Sequence, residues 1–238
     1  MESRGLALGC AGAGVRVGLG VNLRIGTWNL AGRWGPLHMA LLHAADADIW
    51  LLTEVSEKLT LPGYLSHATR GNMAPRRAWA RVLSRRELKP LDDPHPASAA
   101  ANVDGITYCS SILPWRGCGP ADPWIDGSHG ERTGHALSQL AVSLLPGPLV
   151  WGGDWNHALS VGEHAGSKAG RAHIAALVLA RDMCVPTAAL PHRIPGLLSI
   201  DHIAIPREWR ATARRVHAEA NGARLSDHDA YIVDVIGA

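Results

Sequence analysis

The chain has 238 residues, 47% of them apolar and 18% charged. That balance excludes a disordered polymer, and no apolar run reaches the ~18 residues of a membrane span. Lys+Arg 23 against Asp+Glu 21 leaves a net charge of +2, too little for a protein that coats nucleic acid along its surface, yet compatible with a local basic cleft. Within residues 1–21, five Gly between positions 5 and 18 and Arg16 break the roughly 7–15-residue apolar stretch of a signal peptide. They read as a flexible N-terminal extension, followed by one domain over 22–238. A cytoplasmic location is expected, with secretion the lesser alternative. There is no Phe but there are nine Trp, so Leu, Val, Ile, Ala and Trp must fill the core.

In chain order, Leu23–Trp28 predicts a strand. Pro36–Ala47 predicts a helix with Leu37, Ala40, Leu41 and Ala44 on one face. Strands follow at Asp48–Thr53, Trp79–Ser84 and Gly105–Leu113, then a helix over Glu131–Leu145 facing inward through Leu137, Leu140, Ala141 and Leu144. Pro148–Gly152 is a strand, and Ser167–Cys184 a helix with Ala172, Ala175, Ala176, Leu179 and Ala180 inward. Leu198–Ile205 and Ala230–Ile236 close the set as strands, with Pro/Gly/His-rich loops at 86–104 and 114–130. Interspersed strands and helices give an α/β or α+β class and one compact domain, expected to be a monomer. Cysteines at 10, 109, 118 and 184 form no CxxC pair and are expected as thiols rather than a zinc ribbon or a disulfide framework.

The informative feature is where lone polar residues fall. Apolar strands run into Asn29, into Glu54, into Asp154 with Asn156 two residues on, and into Asp201-His202. Ser226-Asp227-His228 precedes the last strand. Strand ends lie on the rim of a sheet, where the core stops and a cleft begins. Carboxylates gathered there repel one another unless a cation offsets them, and hard oxygen ligands select Mg²⁺, Mn²⁺ or Ca²⁺. Taken singly, each has a plainer reading: Asn29 as a turn residue, Glu54 as a helix-start charge, Asp154-Trp155-Asn156 as an Asx-turn, Asp227 as a cap, His228 as a structural imidazole.

Taken together, in order, they match a known pattern. Thr27-Trp28-Asn29, Leu51-Leu52-Thr53-Glu54, Gly152-Gly153-Asp154-Trp155-Asn156, Ser199-Ile200-Asp201-His202 and Ser226-Asp227-His228 resemble the five motifs of the endonuclease/exonuclease/phosphatase superfamily of metal-dependent phosphodiesterases. Thr53 stands where the family carries Gln. The resemblance spans the whole domain and implies a DNase I-like fold, a four-layer αββα sandwich of two mixed β-sheets with helices outside. It implies Mg²⁺, with Mn²⁺ as the alternative, on Glu54 with Asn29 and Asp227. It implies Asp154 as the group that orients or deprotonates the attacking water, Asn156 beside it, and His228 as hydrogen-bond donor to the phosphate with Asp201 as its carboxylate partner.

One departure concerns the family's His at the end of a middle strand. Tyr108-Cys109-Ser110-Ser111-Ile112-Leu113-Pro114-Trp115 lacks it, which leaves Tyr108, Ser111, His129 and Arg132 as the candidate substrate contacts. The expected function is divalent-metal-dependent hydrolysis of phosphate esters, foremost on nucleic acid. The alternatives are a small phosphorylated molecule or lipid head group, or a catalytically weakened binding module. Arg70, Arg76, Arg77, Arg81, Arg85 and Arg86 offer a basic track with Trp79 for stacking, or else a solvated face. Trp28, Trp151 and Trp155 flank Asn29 and Asp154 and are expected beneath the site.

Overall fold

The computed structural model describes residues 23–144, 146–160 and 164–236; the expected N-terminal extension lies outside them. The elements are β1 (Leu23–Asn29), α1 (Pro36–Ala45), β2 (Ile49–Ser56), β3 (Leu65–Ala68), β4 (Asn72–Ala74), β5 (Arg77–Ser84), β6 (Lys89–Pro90), β7 (Ser98–Val103), β8 (Ile106–Ile112), α2 (His129–Ser143), β9 (Leu149–Asp154), α3 (Lys168–Ala180), β10 (Met183–Cys184), β11 (Asp201–Pro206), β12 (Arg210–Val216), β13 (Glu219–Ala220), β14 (Ala223–Arg224) and β15 (Ala230–Ile236).

One sheet has the order β12-β15-β1-β2-β5-β3, with β4 also on β5. The other runs β10-β11-β9-β8-β7-β6. Each sheet holds one parallel pair, β1/β2 and β8/β9, among antiparallel neighbours. Parallel neighbours need a crossover, and α1 and α2 supply the two. Each crossover helix therefore covers the outer face of its own sheet. The inner faces meet through Ile25, Leu51, Val82 and Val233 of the first sheet and Ala99, Ala101, Val150 and Ile203 of the second. Outside, Leu42 and Ala45 of α1 pack with Trp28, Trp50 and Leu52. Leu137, Leu140, Ile174 and Val178 of α2 and α3 pack with Trp151 and Trp155. The result is the expected αββα sandwich of two mixed sheets.

All three helical faces differ from expectation, α2 only in that Ala141 is exposed while Leu137, Leu140 and Leu144 are buried as expected. In α1, Leu37, Ala40 and Ala44 are exposed while Leu42 and Ala45 are buried. In α3, Ala172, Ala176, Leu179 and Ala180 are exposed, and Gly170, Ile174, Leu177 and Val178 are buried. The helices are turned from the expected orientation, so that Leu42 of α1 and Ile174, Leu177 and Val178 of α3 take the core. The 86–104 segment, expected as a loop, contains β7, whose Ser-Ala-Ala-Ala-Asn-Val carries little strand propensity and is held by pairing with β8. Cys109 and Cys118 are free thiols as expected, but Cys184 is disulfide-bonded. No described helix is long and apolar enough to cross a membrane.

Candidate active site

The site is assembled where strands of both sheets end. β1 and β2 run parallel in register, Asn29 opposite Thr53, so the residue after Thr53 emerges beside Asn29. That residue, Glu54, has a left-handed backbone (φ 49) and no ladder partner, although Thr53 and Val55 on either side pair normally with Ala80 and Ala78. A non-glycine residue with positive φ is uncommon and is held only by its surroundings. Here the Glu54 carbonyl accepts a hydrogen bond from the Gly32 N–H at 2.8 Å. In the second sheet Asp201 is the direct cross-strand partner of Asp154. Gly153 just before Asp154 has φ 126, and a Cβ there would sit 2.1 Å from the Ser111 carbonyl oxygen. Only glycine lets the β9 backbone come this close to β8. Asn156 also has positive φ (53).

One amide joins the two sheets. Asn29 Nδ2 donates to Glu54 Oε1 at 3.1 Å and to Asp154 Oδ2 at 3.0 Å, while its Oδ1 accepts from the Ala31 N–H at 2.8 Å. Asp154 Oδ1 accepts from the Asn156 N–H at 3.0 Å, and Asn156 Nδ2 donates to the Leu113 carbonyl. The other oxygen of Glu54 pairs with Arg77 NH1 at 2.9 Å. His228 Nδ1 meets Asp201 Oδ2 at 2.7 Å, and its Nε2 lies 4.0 Å from Asp154 Oδ2. Ser226 locks this loop to β1: its hydroxyl donates to the Asn29 carbonyl at 2.6 Å and accepts from the His228 N–H at 3.2 Å. Trp28 Nε1 donates to the His228 carbonyl.

Burial and charge set the protonation pattern. Burial opposes a charge on His228, but Asp201 and Asp154 outweigh it and raise its pKa to about 10. The ring is an imidazolium at neutral pH, clamped by Asp201 at Nδ1. Burial pushes Asp154 well above the usual carboxylate range, while His228 pulls the other way. An acid near neutrality beside a fixed cation is the arrangement expected of a general base.

Asp154, Asp201 and His228 offer ligand atoms within 4.8 Å of one another. A charged imidazole has no free lone pair at either nitrogen, so a proton already compensates that trio. The remaining set fits a hard cation better. Two carboxylate oxygens, from Glu54 and Asp154, converge on a single neutral amide nitrogen. Among the described residues, Asp201 Oδ1 is buried with no hydrogen-bond partner. These are hard oxygen donors, the chemistry that suits Mg²⁺ or Mn²⁺.

Thus Asn29, Glu54, Asp154, Asn156, Asp201 and His228 lie together. Asp227 is exposed beside His228 and contributes to the charge around it. The four candidate substrate contacts are placed otherwise. Tyr108 is buried between the sheets. Ser111 is turned to the opposite face of β8, where its hydroxyl accepts from Trp151 Nε1 and from Ser98 Oγ. His129 meets the Pro114 carbonyl through Nε2 and packs against the His157 ring at 4.7 Å. Arg132 folds back on the Gly127 carbonyl. The expected basic track is divided among separate partners: Arg70 with Asp92, Arg76 with Glu57, Arg85 with Asp46, Arg86 with Asp104. Arg81 is bonded to the Leu59 carbonyl, and Trp79 is buried edge-on against Trp124. Trp151 and Trp155 stack at 3.9 Å beneath the β9 end, and Trp28 supports the His228 loop.

Sequence reasoning missed Ser226 as a lock and Arg77 as the partner of Glu54. The Ser-Asp-His triplet was a signal for the first, whereas Arg77 was hidden in a run of arginines. His192 was missed as well. Burial lowers its pKa, and the charges of Asp201 and His228 act on it, which places it at the site's edge.

No family model matches the sequence, and no curated protein matches it. Solved structures do resemble it. The endonuclease domain of TRAS1, a telomere-specific non-LTR retrotransposon, superposes with a TM-score of 0.59 at 15% identity, covering 91% of this chain and 99% of that one. A humanized D. rerio TDP2 gives 0.59 at 16%, covering 90% and 98%. An endonuclease/exonuclease/phosphatase protein from Beutenbergia cavernae gives 0.58 at 14%, covering 91% and 72%. The two mixed sheets, their helical covers and these superpositions agree: the chain has a DNase I-like fold.

Proposed function

We propose that this chain is a divalent-metal-dependent phosphodiesterase acting on nucleic acid. The observation that carries the reading is the convergence of Asn29, Glu54, Asp154, Asp201 and His228 from five separate segments onto one rim. A structural role would not need so many buried polar groups at a strand end. Similarity to a protein described as an endonuclease domain supports nucleic acid as the substrate class.

Glu54 and Asn29 would hold the cation, with Asp154 facing it across the Asn29 amide. When bound, the cation supplies charge for a phosphoryl oxygen and for the leaving oxygen. The rest belongs to the chain's own side chains. Asp154 takes the proton of the attacking water at a carboxylate oxygen, which its raised pKa permits near neutrality. Asn156 fixes Asp154 through its backbone N–H. His228 presents Nε2–H to a phosphoryl oxygen, because Nδ1 is committed to Asp201. An imidazolium donor held before the reaction needs no reorganisation as charge develops.

The test is digestion of plasmid, single-stranded DNA and RNA, alongside small phosphate monoesters and diesters. Mg²⁺ or Mn²⁺ should support strand cleavage that EDTA abolishes. EDTA-insensitive cleavage would remove the metal from the reading. Hydrolysis of small esters alone would remove nucleic acid from it.

A further inference from the structure

The Arg77–Glu54 pair stands apart from the other arginine pairs, because its carboxylate belongs to the site. Arg77 is the first residue of β5 and pairs across the ladder with Ser56, two residues beyond Glu54. Its guanidinium lies against Gly32, where a Cβ would come within 2.4 Å of Nε. Gly32, with φ 70, also donates its N–H to the Glu54 carbonyl. One glycine thus makes room for the guanidinium and helps to hold the left-handed turn at Glu54.

Both oxygens of Glu54 face N–H groups, Oε1 that of Asn29 and Oε2 that of Arg77. A cation binding to Glu54 meets a donor on either side. The two donors are not equivalent. The Asn29 amide is neutral and buried, whereas the Arg77 side chain keeps about a third of its surface in solvent. A guanidinium cannot lose its proton near neutral pH. Its charge therefore leaves the carboxylate only by swinging into solvent, or stays and repels an incoming cation.

We propose that Arg77 competes with the divalent cation for Glu54 and so sets the metal affinity of the site. This rests on the reading of Glu54 as a metal ligand. It predicts that removing the guanidinium strengthens metal binding, whereas an ordinary positioning residue would weaken it when lost.

The experiment is calorimetric titration of the substrate-free protein with Mn²⁺ and with Mg²⁺, for wild type, Arg77→Met, Arg77→Lys, Glu54→Gln and the double variant Arg77→Met/Glu54→Gln. Metal-free melting curves establish that each is folded. Arg77→Met should bind metal roughly two- to fivefold more tightly than wild type, the scale of losing a partly exposed ion pair. Arg77→Lys should stay near wild type, since it keeps the charge. In the Glu54→Gln background the Arg77 substitution should have no effect, because the shared carboxylate is gone. Unchanged or weaker binding by Arg77→Met, with wild type binding and Glu54→Gln impaired, overturns the competition alone. Wild-type affinity in Glu54→Gln, or no binding by any variant, overturns the assignment of Glu54 as a ligand and the competition with it.

Discussion

At the scale of single residues, His228 and Asp154 are coupled through opposite demands. The imidazolium exists because two carboxylates face it, and burial without that ring would push Asp154 still further from ionisation. His228→Ala should therefore lower turnover by roughly 10²–10⁴-fold, the usual range for losing a positioned proton donor or acceptor, and Asp154→Asn should do likewise. Both proteins should remain folded by circular dichroism; near-wild-type turnover in either would remove that residue from the mechanism. Gly153 sets a second limit. Gly153→Ala places a methyl against the Ser111 backbone at a φ that L-residues avoid. It should lower the melting temperature and spoil activity together, since Asp154 follows directly. An unaltered melting curve would show that β8 and β9 can separate there. The site itself was legible in the sequence because every polar residue at a strand end broke an apolar run. Arg77 was not, since a neighbouring strand and not sequence proximity brings it to Glu54.

At the scale of elements, strands rich in Val, Ile, Leu and Trp were readable to within a few residues. Ala230–Ile236 agrees at both ends. The helices were readable in extent but not in orientation. Ala-rich faces in α1 and α3 looked apolar enough to be inward, yet Leu42, Ile174 and Val178 won the core. β7 was hidden because Ala favours helix, and only pairing with β8 makes its three alanines a strand. Helix α2 has a sequence-readable start. Ser128 accepts from the Glu131 N–H while the Glu131 carboxylate accepts from the Ser128 N–H at 2.7 Å, a capping box. Ser128→Ala should cost about 1 kcal/mol, or about 2–4 °C of melting temperature in a domain of this size. A change smaller than 0.5 °C would show that packing alone fixes this end.

At the scale of the whole molecule, buried histidines oppose the charged one. Burial holds His95, His157 and His202 neutral, with pKa values lowered to about 4. Between about pH 6.5 and 4 the unfolded chain binds protons there that the folded chain does not, so stability falls as pH falls through this window. His228 works in the other direction. Its folded pKa is raised to about 10, so the stabilisation it gives is complete below about pH 6.5 and is lost as pH rises toward 10. Melting temperature should therefore peak near neutrality. His95→Asn keeps an acceptor for the Ala97 N–H that His95 Nδ1 now receives, and should flatten the acid limb. An acid limb identical to wild type would exclude His95 as a contributor.

The position of β15 has a further consequence. It lies between β12 and β1, with Leu23 opposite Val235, and His228 stands just before it. The sheet that carries Asn29 and Glu54 is closed by a strand some 200 residues later in the sequence. Such distant pairing makes for slow folding, and during translation the site is missing its imidazole until almost the whole domain has left the ribosome.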